Sequence, residues 1–241
     1  MAGTSAAADE SDRIQGVGFL FTRIMKKTFQ ANLAFLLPYF LFLLIAGVFL
    51  GTRSKAEAHL SINCYQYEFC NYFFFLATYI GDGIAVISIV ILLCFVKYKY
   101  AVFTALSNTI SGIITQTLKH TLFADVDRPA KYFEGTAHLK LVPWVENYFY
   151  NSFPSGHTTA AFTTFFCLAL ILENKYLKFL MFAVALTIGF SRVYLSQHFL
   201  NDVYAGSVIG VIVSFLVYQL FFISEQTKNS SWMERSILKN K

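Results

Sequence analysis

Three clusters of polar residues interrupt a strongly apolar chain: Lys119 followed by Arg128-Pro129, Pro154-Ser155-Gly156-His157, and a run from Ser191-Arg192 through His198 to Asp202. Ionisable side chains in apolar surroundings are costly and are kept mainly where they act. Lys119, Arg128 and Arg192 supply three permanent cations, and an arginine presents a planar fork that matches phosphate oxygens. Ser155 and Gly156 stand where a helix is expected to begin. Their backbone N–H groups are therefore expected to be unpaired and aimed at an anion, and glycine lets the backbone come close to it. The set reads as a phosphate cradle, since a carboxylate would need fewer donors.

Two histidines complete the chemistry. His198 and Asp202 are four residues apart, so on a helix they share a face and can touch. A carboxylate on one imidazole nitrogen fixes the tautomer and leaves the other free as nucleophile or base. His157 has no carboxylate at such spacing and can stay protonated to donate to a leaving oxygen. One histidine attacks phosphorus and the other protonates the leaving group.

In pattern, Lys…Arg-Pro, Pro-Ser-Gly-His and Ser-Arg-x5-His-x3-Asp, the chain resembles the type 2 phosphatidic acid phosphatase superfamily over roughly residues 75–220. The first motif departs from the family, with eight residues between Lys119 and Arg128 where six are usual. Either the loop carries a bulge or another residue supplies that cation. The resemblance implies a phosphohistidine on His198 oriented by Asp202. It implies His157 as the acid, and Lys119, Arg128, Ser155, Gly156 and Arg192 as the phosphate-holding set. It further implies no metal and no other cofactor, and hydrolysis of a lipid phosphate or diphosphate. Candidate substrates are undecaprenyl diphosphate, phosphatidic acid, phosphatidylglycerol phosphate and the phosphates of lipid A. A lipid-to-lipid phosphotransferase would use the same site; a non-catalytic lipid carrier would be expected to lack a catalytic histidine.

These residues need rigid elements to hold them. The 241-residue chain is 56% hydrophobic and only 14% charged, with a mean hydropathy of +0.53, whereas soluble domains carry about 25% charge. Ala31 to Leu50 alone reaches the ~20 residues a bilayer crossing needs. The expected fold is an all-α integral membrane protein, a six-transmembrane helix bundle. Its apolar segments lie near 31–50, 72–96, 101–118, 157–173, 179–195 and 203–223, making one domain over 31–223. The second segment contains Gly81-Asp82-Gly83, so it is expected to start at the interface and span afterwards; Asp82 is expected to cap a helix or bond within the bundle.

Residues 1–30 mix acidic and basic side chains ahead of a long apolar run and do not read as a cleaved signal peptide. They are expected to be a cytoplasmic N-terminal segment, and residues 224–241 a solvated cytoplasmic tail. With both termini inside, twelve of the nineteen Lys and Arg fall on the cytoplasmic side, as cytoplasmic loops prefer. The basic residues form no patch with interleaved aromatics, so nucleic acid is not an expected partner; the bilayer and a lipid phosphate are. All three polar clusters then meet at the outer, periplasmic face of an inner membrane.

The loop of about 35 residues from Lys119 to Phe153 is longer than ordinary helix connections. Its aromatics, among them Trp144, Tyr148 and Tyr150, suit the headgroup level, so it is expected to roof the site. Asp125 and Asp127 are read as loop charges, one of which could pair with Arg128, and His120 as interfacial. Thr104, Asn108, Ser111 and Thr115 follow helical spacing and are expected to glue helices together. Cys64 and Cys70 share the first outer loop and either bridge or remain two free thiols; Cys94 and Cys167 are buried thiols.

Overall fold

The structure, a computed structural model, describes residues 22–223 and 231–238. Most of the expected N-terminal segment and part of the tail lie outside those residues. Helical residues 22–31 lead into α1 (Leu33–Thr52), followed by α2 (Lys55–Asn63), α3 (Glu68–Tyr79), α4 (Gly83–Val96), α5 (Tyr98–Thr121) and a single turn, α6 (Pro129–Tyr132). Then come α7 (Gly156–Ile171), α8 (Lys175–Tyr194) and α9 (Leu200–Ile223), and a 3-10 turn at Ser231–Glu234. Among the described residues the regular structure is helical, as the apolar runs require.

Local chemistry sets the helix starts. Ser54 opens α2 with a capping box: its Oγ accepts from the Glu57 N–H while its own N–H donates to the Glu57 carboxylate. Asp82 caps α4 by accepting from the Gly83 N–H at 2.6 Å, which is the structural role expected of it. The chain bends by 54° at this point, between α3 and α4. Asn174 caps α8 through the N–H groups of Tyr176 and Leu177.

α7 is the hub, with α5, α8 and α9 packed around it, and most of its residues are buried, from Thr158 to Leu170. α9 comes closest. A Cβ added at Gly206 would lie 2.7 Å from the Ser155 carbonyl oxygen, and one at Gly210 would lie 2.8 Å from that of Thr159. Small residues four apart on α9 thus let two backbones touch, the membrane-helix solution to packing without a hydrophobic drive between helices. On the α5 side the polar stripe does the gluing expected of it. Thr163 donates to Ser111, Thr164 to Asn108, and Thr115 to Thr159. α1 lies outside α8 and α9, its Phe35 ring 4.7 Å from that of Phe166 and 5.6 Å from that of Phe182.

Three helices (Leu33–Thr52, Lys175–Tyr194 and 200–222) are long and apolar enough to cross a membrane, and the bent α3–α4 pair makes a fourth. The other two expected spans miss that standard for opposite reasons. α5 has the length but carries the polar stripe, and α7 is apolar but only 16 residues long. α5 turns its stripe to protein, and α7 is buried along most of its short length.

The tail also differs from expectation. Its described residues return to the α4–α5 turn instead of standing in solvent. Ile237 N–H donates to Cys94 O, Tyr98 N–H to Arg235 O, and Glu234 pairs with Lys97 and Lys99. This turn and Lys119 sit at opposite ends of α5, roughly 33 Å apart at helical rise.

Candidate active site

At the Lys119 end the site is assembled by four helix termini. α5 contributes Lys119 in its last turn, α7 begins with Gly156 and His157, α8 ends with Arg192, and α9 carries Asp202 in its first turn. The long α5–α7 loop adds Arg128, and the α8–α9 connection adds His198. A cavity of about 400 Å³ is lined by Lys119, Arg128, Gly156, His157, Arg192 and His198, six of the eight residues expected in the site. Ser155 and Asp202 lie directly behind them, both fully buried.

Lys119 is in the cavity wall despite its longer separation from Arg128. The extra residues are absorbed after α5, where Leu122 and Phe123 N–H both donate to Leu118 O and Val126 N–H to Phe123 O. The loop then returns to place Arg128 at the N-cap of α6. Its backbone N–H donates to Phe149 O, its Nε to Tyr150 O and its Nη1 to Gln197 O. The guanidinium rests 5.3 Å from the centre of the Tyr148 ring. Arg192 is anchored by Nη1 on the Thr78 hydroxyl at 2.6 Å, while its buried Nε has no protein partner. Burial pulls the Arg128 guanidinium below its usual range, with Asp202 opposing; the group keeps its charge.

The His198–Asp202 spacing does what i,i+4 geometry allows. Asp202 Oδ2 stands 3.3 Å from His198 Nδ1, and it also accepts from Ser152 Oγ at 2.5 Å and from the Phe199 N–H at 3.0 Å. That leaves Nε2 as the ring nitrogen available to the cavity. The proton affinity of His198 is held well below the usual 6.5, first by burial and then by Arg128, Arg192, Lys119 and His157. The ring is therefore neutral at physiological pH, and its contact with Asp202 is a hydrogen bond of neutral imidazole to carboxylate. Such a ring has a free lone pair to attack with.

One expectation is corrected. The Ser155 N–H is not free for an anion, because it donates to Asp202 O at 3.1 Å. Ser155 Oγ caps α7 instead, accepting from the Thr158 N–H and hydroxyl. The tight α7–α9 contact at Gly206 causes this, since it presses the start of one helix against the start of the other. The N–H groups of Gly156 and His157, at the first two helical positions, remain without an intrahelical partner.

Sequence reasoning missed the groups that support the site. Ser152 grips Asp202, Thr78 grips Arg192, and Tyr148 and Gln197 support Arg128; none is a fixed residue of a motif. Gly81-Asp82-Gly83 and the lower stripe residues Asn108, Ser111 and Thr115 also border the cavity, so the stripe both glues helices and forms part of the wall. Cys64 and Cys70 are free thiols, Cys167 is buried and Cys94 is half-buried. Among the described residues no three His, Cys, Asp or Glu side chains group as metal ligands would.

Fold and site together define an integral membrane phosphatase: apolar helices converge on a histidine–carboxylate pair inside a ring of cations. The chain belongs to the PAP2 superfamily, whose sequence profile matches residues 99–225, just over half of the chain and all eight site residues. It is 26% identical over 184 residues to the lipid A 4'-phosphatase of Porphyromonas gingivalis, covering 73% of this chain and 75% of that one. It is 27% identical over 121 residues to the undecaprenyl-diphosphatase BcrC of Bacillus subtilis, covering 44% and 60%. Among solved structures, Aquifex aeolicus LpxE superposes with a TM-score of 0.61 at 27% identity over 68% of this chain and 94% of that chain. A PAP2-type phosphatidylglycerolphosphate phosphatase from Bacillus subtilis shares the fold, with a TM-score of 0.56 at 22% identity over 81% and 98%.

Proposed function

We propose that the chain hydrolyses a phosphomonoester or diphosphate of a membrane lipid through a phosphohistidine on His198. The observation that carries this reading is the clamped pair: Asp202 is held by Ser152 and the Phe199 N–H and holds His198 in turn, inside a cavity walled by Lys119, Arg128 and Arg192. The three cations and the Gly156 and His157 N–H groups take the phosphoryl oxygens. His198 Nε2 attacks phosphorus in line, and the P–O bond to the lipid breaks as His157 delivers a proton to the leaving oxygen. The same His157 then takes a proton from water, which attacks the phosphohistidine and frees phosphate.

The chain crosses an inner membrane six times, as α1, α3 with α4, α5, α7, α8 and α9, with both termini cytoplasmic and the cavity at the outer face. The basic turn at Lys97–Lys99, at the end opposite the cavity, supports this orientation. Exposed Cys64 is a native reporter for it: a membrane-impermeant thiol reagent labels it from outside in intact cells, and protection of Cys64 there overturns the topology. The relatives favour a lipid A or undecaprenyl substrate.

The deciding experiment is phosphate release in detergent from lipid A, undecaprenyl diphosphate, phosphatidic acid and phosphatidylglycerol phosphate, with His198→Ala as control and a labelled acceptor lipid in one arm. Release from at least one lipid and its loss by several orders of magnitude in the variant are expected, because the reaction path goes with the nucleophile. Full activity of His198→Ala overturns the assignment, and label appearing on the acceptor makes the chain a phosphotransferase.

A further inference from the structure

The turn that carries His198 is held from outside the matched core, by the small helix α2. α8 ends at Tyr194, and Gln197 and His198 N–H both donate to Arg192 O to close the helix. Ser196 takes the position past the helix end that glycine usually fills. Its φ is +54°, and Asn151, beside Ser152, is the other non-glycine residue with positive φ among the described residues. A backbone angle of this kind persists only where surrounding contacts enforce it. At Ser196 those contacts come from 133 and 137 residues earlier in the chain: Asn63 Nδ2 donates to Ser196 Oγ at 3.1 Å, and His59 Nε2 lies 3.1 Å from the same oxygen.

His59 also reaches the other side of His198. Its buried ring lies edge-on to Phe199 at 5.2 Å and stacks on Phe133 at 5.7 Å. Phe199 is the residue whose N–H holds Asp202. One imidazole therefore touches the chain on both sides of the reactive histidine, at Ser196 two residues before it and at Phe199 directly after it. Asn63 in turn clasps the long α5–α7 loop through both backbone groups of Lys140, and the Lys55 ammonium lies over the Phe199 ring at 3.9 Å. Burial and Lys55 hold the proton affinity of His59 down to about 4, against Asp202. The Ser196 hydroxyl thus accepts from the Asn63 amide and shares a second hydrogen bond with His59 Nε2.

We propose that His59 and Asn63 are positioning residues for the phosphatase reaction. By gripping Ser196 in its left-handed conformation and packing on Phe199, they fix the direction in which His198 presents Nε2 to phosphorus. Neither touches the cavity. The inference rests on His198 being the nucleophile.

The test compares His59→Ala, His59→Gln, Ser196→Gly and the His59→Ala/Ser196→Gly double variant in steady-state phosphate release. His59→Ala lowers kcat about a hundredfold, the scale that a misplacement of ~1 Å costs, with KM unchanged because the phosphate-holding groups stay put. His59→Gln, whose amide can reach Ser196, recovers most of the loss. Ser196→Gly removes the gripped hydroxyl while easing the backbone angle, so the two changes combine to less than the product of their separate effects. Equal losses in His59→Ala and His59→Gln, a KM effect alone, or full multiplicativity with Ser196→Gly overturns the proposal. If His59→Ala does not fold, the glutamine variant and Ser196→Gly still decide: a large KM rise without a fall in kcat in either one refutes it. A fully active His198→Ala would instead remove the underlying reading.

Discussion

Replacing Asp202 by asparagine separates two things a carboxylate does for a histidine. In many such pairs the change turns the imidazole into the wrong tautomer, at a cost of about 10⁴ in rate. Here the surroundings forbid that. The Phe199 N–H can only donate, so the asparagine carbonyl must occupy the place of Oδ2, where it also accepts from Ser152 and from His198 Nδ1. Its NH2 group then fills the position of Oδ1, which has no protein partner now. The tautomer survives and only the charge is lost. As Nε2 bonds to phosphorus the ring becomes cationic, and a unit charge 3.3 Å from the carboxylate is worth about 5 kcal/mol at an effective dielectric of ~20. With the charge half developed at the transition state, about 2–3 kcal/mol disappears, and ~1.4 kcal/mol is one factor of ten. Asp202→Asn should therefore lower kcat about a hundredfold with KM little changed, read as phosphate release under single-turnover conditions. A loss below fivefold would show that Asp202 does not stabilise the charged ring, and a loss as complete as that of His198→Ala would show that the tautomer argument is wrong.

Other outcomes follow from the same geometry. Gly206→Ala and Gly210→Ala should each lower the thermal midpoint in detergent by the equivalent of about 1–3 kcal/mol of overpacking. Gly112→Ala should not, because a Cβ there meets nothing within 4 Å. Ser155→Ala should cost about 1 kcal/mol of stability through the lost cap and leave KM within experimental error, since its hydroxyl faces Thr158 and not the cavity. The acid limb of kcat/KM should lie well below pH 6.5, because burial and then Arg128 lead in disfavouring protonated His198, and Arg128→Gln should move that limb upward. His198 behaves oppositely to a histidine held protonated by a partner: as pH falls below about 6.5 the unfolded chain binds a proton there that the folded chain refuses, so the midpoint should drop. A midpoint that rises on acidification through that window contradicts a neutral, buried His198.

What the sequence made legible was the chemistry that lies within a turn or two of itself. His198 and Asp202 meet because four residues bring them onto one face, and Gly156 and His157 sit at a helix start because Pro-Ser-Gly is a start signal. Loop charge placed the clusters at one end of the chain's helices, and the helices do converge there. The partners behind the site were not legible. Ser152 reaches Asp202 across 50 residues, Thr78 reaches Arg192 across 114, and His59 reaches Ser196 across 137. No periodicity encodes such pairings. Counting spans by hydropathy falters at α5 and α7 for a related reason. That measure assumes a long helix facing lipid, whereas α5 turns a polar stripe to protein and α7, though apolar, has only 16 residues. The free Ser155 N–H was misjudged because a helix start normally leaves that group open, and only the close approach of α9 supplies it with a carbonyl.

The burial of α7 bears on how the molecule is made. A 16-residue helix surrounded by protein has no stable place in bare lipid, at roughly 24 Å against a hydrocarbon core of about 30 Å. Its shelter is not complete until α8 and α9 have left the ribosome, because two of the three helices around it follow it in the chain. Only a three-residue link, Leu172 to Asn174, joins α7 to α8, so the two pack as one hairpin. The clamped histidine–carboxylate pair therefore forms last, because a nascent chain stopped before α9 carries His198 without Asp202.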